Sequence, residues 1–365
     1  MRLLECRCAD SAIAASSPIR RLSRWLLSKK GCLSCVARVL GEDARRPVVQ
    51  KVKPSDQPEF LSFITPAYNA ASTVGDAVDS IFRQNLEVPF EVVIFDDAST
   101  DDTREALRAL EQAHATTITV GRNERNLGAG ATRNRAIARA RGDVIYMLDA
   151  DNVLPPATVQ PQLELMVETG RHCVSVERLD LFTAAPSSVE GTWNMVNHDG
   201  FSGLRELMAH AEIPAAHGNY LFTRALFDGV GGYEEKHGSD SWIFGMKHVA
   251  RGFDVAVAVG TSYFHRLRGD SYWVREELRG ANDEQAVVAL TEMLDFFPPD
   301  VREKVARLRP GDPVFYYLTQ GDFTPAGELP GFARRTGVRT RRNLSFAARR
   351  FAQRVPRPSG RRPAK

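Results

Sequence analysis

Asp149-Ala150-Asp151 sets two carboxylates one residue apart, directly after the apolar run Val144-Ile145-Tyr146-Met147-Leu148. The run is short, continuous and preceded by Arg141-Gly142-Asp143. That suits a strand buried on both faces of an α/β sheet better than a helix. In such sheets ligands gather at the carboxyl ends of the strands. If the chain stays extended for two more residues, Asp149 and Asp151 point to the same side, because strand side chains alternate with period two. Two hard, anionic oxygen donors on one side suit Mg²⁺ or Mn²⁺. Alone, the pair is equally a solvated acidic turn, and its meaning depends on partners elsewhere.

The elements that must position it follow from apolar periodicity. Phe60 to Thr65 reads as a strand, with Pro66-Ala67-Tyr68-Asn69 as its turn. Val74, Ala77, Val78, Ile81 and Phe82 then fall at helical spacing, with Ser72 or Thr73 as cap. Phe90 to Phe95 is a second strand, closed by Asp96-Asp97-Ala98-Ser99-Thr100-Asp101, and Asp101 or Asp102 caps a helix beginning near Thr103. A strand at Thr117 to Val120 leads through Asn126-Leu127-Gly128 into another helix, and the fourth strand ends in the acidic pair. This alternation over roughly 90 residues means an α/β fold with a mostly parallel sheet and crossover helices. Gly128 and Gly130 form no G-x-G-x-x-G and follow the third strand rather than the first, which argues against a nicotinamide or flavin enzyme.

In the second half, His217 to Phe222 and Asp254 to Val259 read as strands, and Gly229 to Glu235 as a glycine-rich loop. Asp240 opens a helical pattern running to Ala250, with Gly252 as C-cap. An acid there is a favoured cap, and it also faces the loop before it. Tyr263 to Trp273 reads as a flexible lid, Ala286 to Phe297 as a helix, and residues 181 to 203 as loops without a pattern.

With 365 residues, 43% hydrophobic and 25% charged, the chain can bury a sizeable core. No apolar stretch reaches the roughly 18 residues of a spanning helix. The net charge of +3 conceals an uneven distribution: residues 1–53 hold 12 Lys/Arg against 4 Asp/Glu, and residues 334–365 hold 12 Lys/Arg and no acid. The body between is therefore acidic, which argues against a nucleic-acid partner. Cys6, Cys8, Cys32 and Cys35 match no zinc spacing, and the odd count of five, with no apolar signal core near the start, points to a reducing, cytoplasmic setting.

Pro66-Ala67-Tyr68-Asn69, Phe95-Asp96-Asp97-Ala98-Ser99-Thr100-Asp101, Asn126-Leu127-Gly128 with Ala131-Thr132-Arg133-Asn134, and Leu148-Asp149-Ala150-Asp151-Asn152 occur in order at successive strand ends. In order and spacing the chain resembles the family 2 glycosyltransferases of the GT-A fold over roughly residues 60–280. The resemblance implies a Rossmann-like, mostly parallel central sheet flanked by helices, with a smaller acceptor-side subdomain. It implies an inverting transfer from a nucleotide-sugar donor, a UDP-sugar by expectation, to a saccharide or lipid-linked hydroxyl acceptor, assisted by Mn²⁺ or Mg²⁺. Residue by residue, it implies that Pro66 and Tyr68 lie against the base, Asp97 accepts from uracil or ribose, Asp96 supports its loop and Arg133 meets the donor phosphates, although a surface ion pair suits Arg133 equally. Asp151 would ligate the metal, with Asp149 supporting the ribose or metal shell. Asp240 would be the catalytic base, with Ser239 standing where relatives commonly carry a second acid. His265 or Arg268 would meet the metal or diphosphate, His265 as a third metal ligand or as a histidine beneath the site.

The implied layout is an N-terminal extension at 1–58, a nucleotide-sugar half at 59–152, an acceptor half at 153–290, a helical or irregular segment at 291–333 and a basic tail at 334–365. The tail is either solvated or a peripheral anchor on anionic membrane at the cytoplasmic face. Two other readings are a sugar-nucleotide-binding protein without transfer and a nucleotidyltransferase. The latter calls for a Gly-rich basic loop where Pro66-Ala67-Tyr68-Asn69 stands.

Overall fold

The computed structural model describes residues 57–195, 220–236, 240–267, 281–296 and 299–309. The basic ends, the four N-terminal cysteines, Ser239 and the segment containing Arg268 lie outside the described residues.

The first half builds β1 (Leu61–Ala67), α1 (Val74–Phe82), β2 (Phe90–Asp96), α2 (Thr103–Ala113), β3 (Ile118–Arg122), α3 (Ala129–Arg139) and β4 (Val144–Met147). All four strands are parallel, in the order β3-β2-β1-β4, so their carboxyl ends share one edge. The runs are apolar throughout because both faces are covered. Leu61, Phe63, Val92, Ile94, Val144 and Tyr146 pack with Val74, Ile81 and Leu107 of α1 and α2. Ile64, Val93, Ile145 and Met147 pack with Ala136 and Ile137 of α3. Of the two expected caps of α2, Asp102 occupies the N-cap position without a side-chain cap bond, while the Asp101 carboxylate just before it accepts the Thr103 main-chain N–H at 3.0 Å.

The second half extends the same sheet with α4 (Gln160–Thr169), β5 (Cys173–Phe182), β6 (Val189–Asn194), β7 (Leu221–Thr223), α5 (Arg224–Val230), α6 (Asp240–Ala250) and β8 (Val255–Arg266). Next come α7 (Ala281–Glu292), a 3₁₀ turn at Leu294–Phe296 and α8 (Pro299–Val305). β7 pairs antiparallel with β4, β5 antiparallel with β7 and β6, and β8 parallel with β5, giving an eight-stranded sheet. No described helix is long and apolar enough to cross a membrane.

Two expectations are corrected. Part of 181–203 is not patternless loop, since β5 ends at Phe182 and β6 follows at Val189–Asn194. β8 also does not stop at Val259: it runs to Arg266, so Tyr263 to Arg266 is strand, not lid. One irregularity accounts for the second. The β5/β8 register shifts between Val176 and Arg178, where Gly260 (φ +83°) donates to the Glu177 carboxylate at 2.8 Å. The shift breaks the two-residue alternation in both strands.

Gly142 fixes the approach of β4 to β1. A Cβ there would stand 2.6 Å from Ser62 Oγ and 2.7 Å from both the Ser62 nitrogen and the Val144 carbonyl. Those main-chain atoms belong to paired strands and cannot retreat. Gly142→Ala is therefore expected to destabilise the fold by about 1–3 kcal/mol, the usual cost of overpacking, read as a lower urea midpoint at unchanged slope.

Candidate active site

At the end of β1, Pro66 is half-buried and Tyr68 is 43% exposed, which leaves its ring open to a planar ligand. Asn69 (φ +50°) and Ala98 (φ +58°) turn two neighbouring loops sharply. The loops are stitched by Asn69 N–H to Ser99 Oγ (3.0 Å), Thr100 N–H to Asn69 Oδ1 (2.9 Å) and Asp97 N–H to the Ala67 carbonyl (2.8 Å). Asp96 is buried, accepts the Ser99 N–H at 2.9 Å and is ion-paired with Arg122. Asp97, also buried, accepts from Asn123 Nδ2 (2.7 Å), Leu127 N–H (2.8 Å) and Gly128 N–H (2.9 Å). Three of a carboxylate's roughly four acceptor sites thus hold the entry to α3, leaving about one for a ligand.

The centre of the site is Arg133, on α3 and 5% exposed. One guanidinium nitrogen donates to Asp149 at 2.7 Å; another is ion-paired with Asp240, the first residue of α6. The guanidinium also lies over the Tyr233 ring, 5.4 Å from its centroid. Burial opposes the charge on Arg133, but Asp240 and Asp149 outweigh it and raise its pKa. Burial raises the Asp240 carboxyl above its usual 3.8; Arg133 opposes this and the charge on Asp149 adds to it. The convergence needs Gly130, where a Cβ would stand 1.8 Å from the Glu234 carbonyl and 3.1 Å from Asp240 Cβ.

The acidic pair differs from the period-two expectation. After β4 the chain does not stay extended: Asn152 N–H bonds the Asp149 carbonyl at 3.1 Å, closing a turn. The turn is sewn to the end of β8. Val153 and Phe264 exchange main-chain bonds at 3.0 and 2.8 Å, and Arg266 donates from its main chain to Asn152 Oδ1 (3.0 Å) and from Nε to the Asp151 carbonyl (2.9 Å). Arg266 is further paired with Asp76 at 3.0 Å and lies 4.5 Å from the Phe182 centroid. His265, on the same strand end, is held below the usual imidazole range by burial, against the pull of Asp149, and so is neutral near pH 7.

Among the described residues no three His, Cys, Asp or Glu cluster as a metal cage. Mg²⁺ and Mn²⁺ do not require one, because they are commonly held by one or two carboxylates, with water and substrate phosphate completing the shell. Asp151 and Asp149 offer the hard oxygens such an ion takes, and His265, although within electrostatic reach of Asp149, does not join them in a three-residue cluster.

Residues 62–225 match the family described as Glycosyl transferase family 2. This segment belongs to that family. TuaG of Bacillus subtilis, named for teichuronic acid biosynthesis, is 36% identical over 139 residues, which are 36% of this chain and 54% of TuaG. The chain therefore spans about half the length of that curated relative. Two solved structures share the fold. TarS residues 1–349 of S. aureus in complex with UDP-GlcNAc give a TM-score of 0.50 at 17% identity, covering 67% of this chain and 70% of that one. The mannosyltransferase PcManGT of Pyrobaculum calidifontis, in complex with GDP-Man and Mn²⁺, gives 0.51 at 19%, covering 90% and 88%. The fold is GT-A, a mixed sheet flanked by helices.

Four residues with structural work at the site went unread in the sequence: Asn123, Tyr233, Arg266 and, in its role, Asn134. Asn134 stands beside Arg133 on α3, so adjacency to a site residue was the available signal; Arg266 lay between two candidates, His265 and Arg268.

Arg133→Met would leave two carboxylates facing each other in a largely buried site. Removing one partner of a buried pair costs about 3–5 kcal/mol, which is the loss expected in urea unfolding at neutral pH. The loss is expected to shrink as pH falls, since a protonated Asp240 needs no cation; a loss independent of pH contradicts this electrostatic origin.

Proposed function

We propose that the protein transfers a sugar from a UDP-sugar to a hydroxyl of a saccharide or lipid-linked acceptor, with inversion and with the assistance of Mn²⁺ or Mg²⁺. The observation that supports the reading is the convergence of Asp240, at the start of α6, and Asp149, in the strand-end acidic turn, on one buried guanidinium. The ligands seen with TarS and PcManGT, UDP-GlcNAc and GDP-Man, support a nucleotide-sugar donor.

Tyr68 and Pro66 receive the base, and Asp97, with its remaining acceptor capacity, takes an N–H or O–H of the nucleoside. Arg133, committed to two carboxylates, sets Asp149 and Asp240 rather than reaching the phosphates. Asp240 accepts the acceptor's hydroxyl proton as the oxygen forms its bond to the anomeric carbon. The bond from that carbon to the diphosphate breaks, and the nucleoside diphosphate leaves with the electron pair. A divalent ion held by Asp151 and Asp149 would supply charge neutralisation at the departing diphosphate, with His265 outside its protein ligand set. The basic segment 334–365 would hold the enzyme against the anionic cytoplasmic face of a membrane, where a lipid-linked acceptor is reached.

The test is nucleoside diphosphate release from a panel of UDP- and GDP-sugars, with and without a chelator. Turnover of at least one donor, lost on chelation, is expected; no turnover of any donor contradicts the proposal. Asp240→Asn is expected to lower turnover by about 10²- to 10⁴-fold, the range of general-base catalysis, while UDP affinity stays within about twofold. Because burial raises the Asp240 carboxyl, turnover is expected to rise with pH along an acid limb lying above 3.8. Arg133→Lys, which keeps the charge but loses the fork between two carboxylates, is expected to move that limb further upward in a pH–rate profile.

A further inference from the structure

Asn134 follows Arg133 on α3, and its amide pairs with a main chain as a strand would. Oδ1 accepts the Tyr233 N–H at 2.9 Å, and Nδ2 donates to the Tyr233 carbonyl at 3.0 Å. Nδ2 also donates to Glu235 Oε1 at 2.8 Å. The adjoining backbone is shaped to this clasp. Gly232 has φ +76°, and a Cβ on it would lie 3.0 Å from Asn134 Oδ1, while the missing side chain of Gly130 admits the Glu234 carbonyl.

The clasped residue touches the candidate base from two sides. The Tyr233 ring lies against the Arg133 guanidinium, which is paired with Asp240. The same ring stacks on Phe244 at 4.1 Å and 25°. Phe244 is four residues after Asp240 on α6, one turn along the same face. We propose that Asn134 is a positioning residue for Asp240: its amide fixes Tyr233, whose ring sets both Arg133 and α6. This rests on Asp240 acting as the base.

Only asparagine meets the geometry. Aspartate would aim acceptor oxygens at the Tyr233 carbonyl and the Glu235 carboxylate, and glutamine places the amide one methylene too far. The loops that carry Pro66, Tyr68, Asp96 and Asp97 are held by other contacts, so loss of the clasp is a base-side defect that leaves the nucleotide end intact.

The experiment compares Asn134→Ala, Asn134→Asp and Asp240→Asn, alone and combined, in the full chain. The readouts are calorimetric binding of UDP with Mn²⁺ and UDP release from the UDP-sugar that the wild type turns over fastest, with water as acceptor. Both Asn134 variants are expected to keep UDP affinity within about twofold and to lose on the order of 10- to 100-fold in turnover, the scale of a misplacement near 1 Å. In the Asp240→Asn background, Asn134→Ala is expected to cost nothing further. Asn134→Asp keeps the side-chain volume and covers an alanine variant that does not fold. Three results overturn the proposal while the base reading stands: wild-type turnover in both Asn134 variants beside an inactive Asp240→Asn, UDP affinity falling in step with turnover, or an undiminished further loss in the Asp240→Asn background. Wild-type turnover in Asp240→Asn overturns the base reading itself.

Discussion

A buried guanidinium must have its charge answered, and Arg133 is answered by carboxylates from two distant parts of the chain. An ion taken out of water loses several kcal/mol of solvation, which only close, hydrogen-bonded opposite charge repays. That requirement forces α3, the turn after β4 and the start of α6 to meet at one point. The glycine at position 130, the clasp at Asn134 and the Tyr233 ring over the guanidinium all follow from bringing those segments within contact distance. The same charge balance leaves Asp240 with a carboxyl raised by burial yet held toward ionisation by its partner, which suits a group that takes and returns a proton.

Around this pair the carboxylates divide between building and chemistry. Asp96, Asp97 and Asp101 are engaged by groups of their own loop, such as Ser99 and Thr103, and by Arg122, Asn123, Leu127 and Gly128 at and after the end of β3. They hold the strand-end loops rigid so that Tyr68 stands exposed at a fixed place. On the other side, Arg266 ties the carbonyl of Asp151 and the side chain of Asn152 to β8. A strand-end turn that would otherwise be loose is thereby pinned to the sheet. Preorganisation of this kind is what lets a site stabilise charge without rearranging at the moment of reaction.

The parallel half was legible because each strand is an unbroken apolar run and each turn carries residues with a local reason to be there, Asp101 accepting the first main-chain N–H of α2 being one. The acidic turn was legible as a candidate because it sits where a strand ends; position alone made Asp240 a helix cap, and only the family resemblance made it a candidate base. Their relation was not legible, because Arg133 and Asp240 are 107 residues apart and nothing in either neighbourhood names the other. The far end of β8 was hidden by a register shift that breaks the alternation a strand is recognised by. The two acids of the pair were expected on one side through continued extension; the turn at Asp149 removed that premise, since a single main-chain hydrogen bond outweighs a pattern argument two residues long.

The central claim is a single displacement at the anomeric carbon, driven by Asp240 from the face opposite the leaving diphosphate. It is tested most directly by following the first turnovers of an α-linked UDP-sugar by ¹H NMR, with water or a simple saccharide as acceptor, before mutarotation scrambles the product. The expected result is that the β anomer appears first and that its appearance is lost in Asp240→Asn. Initial release of the α anomer would contradict the account.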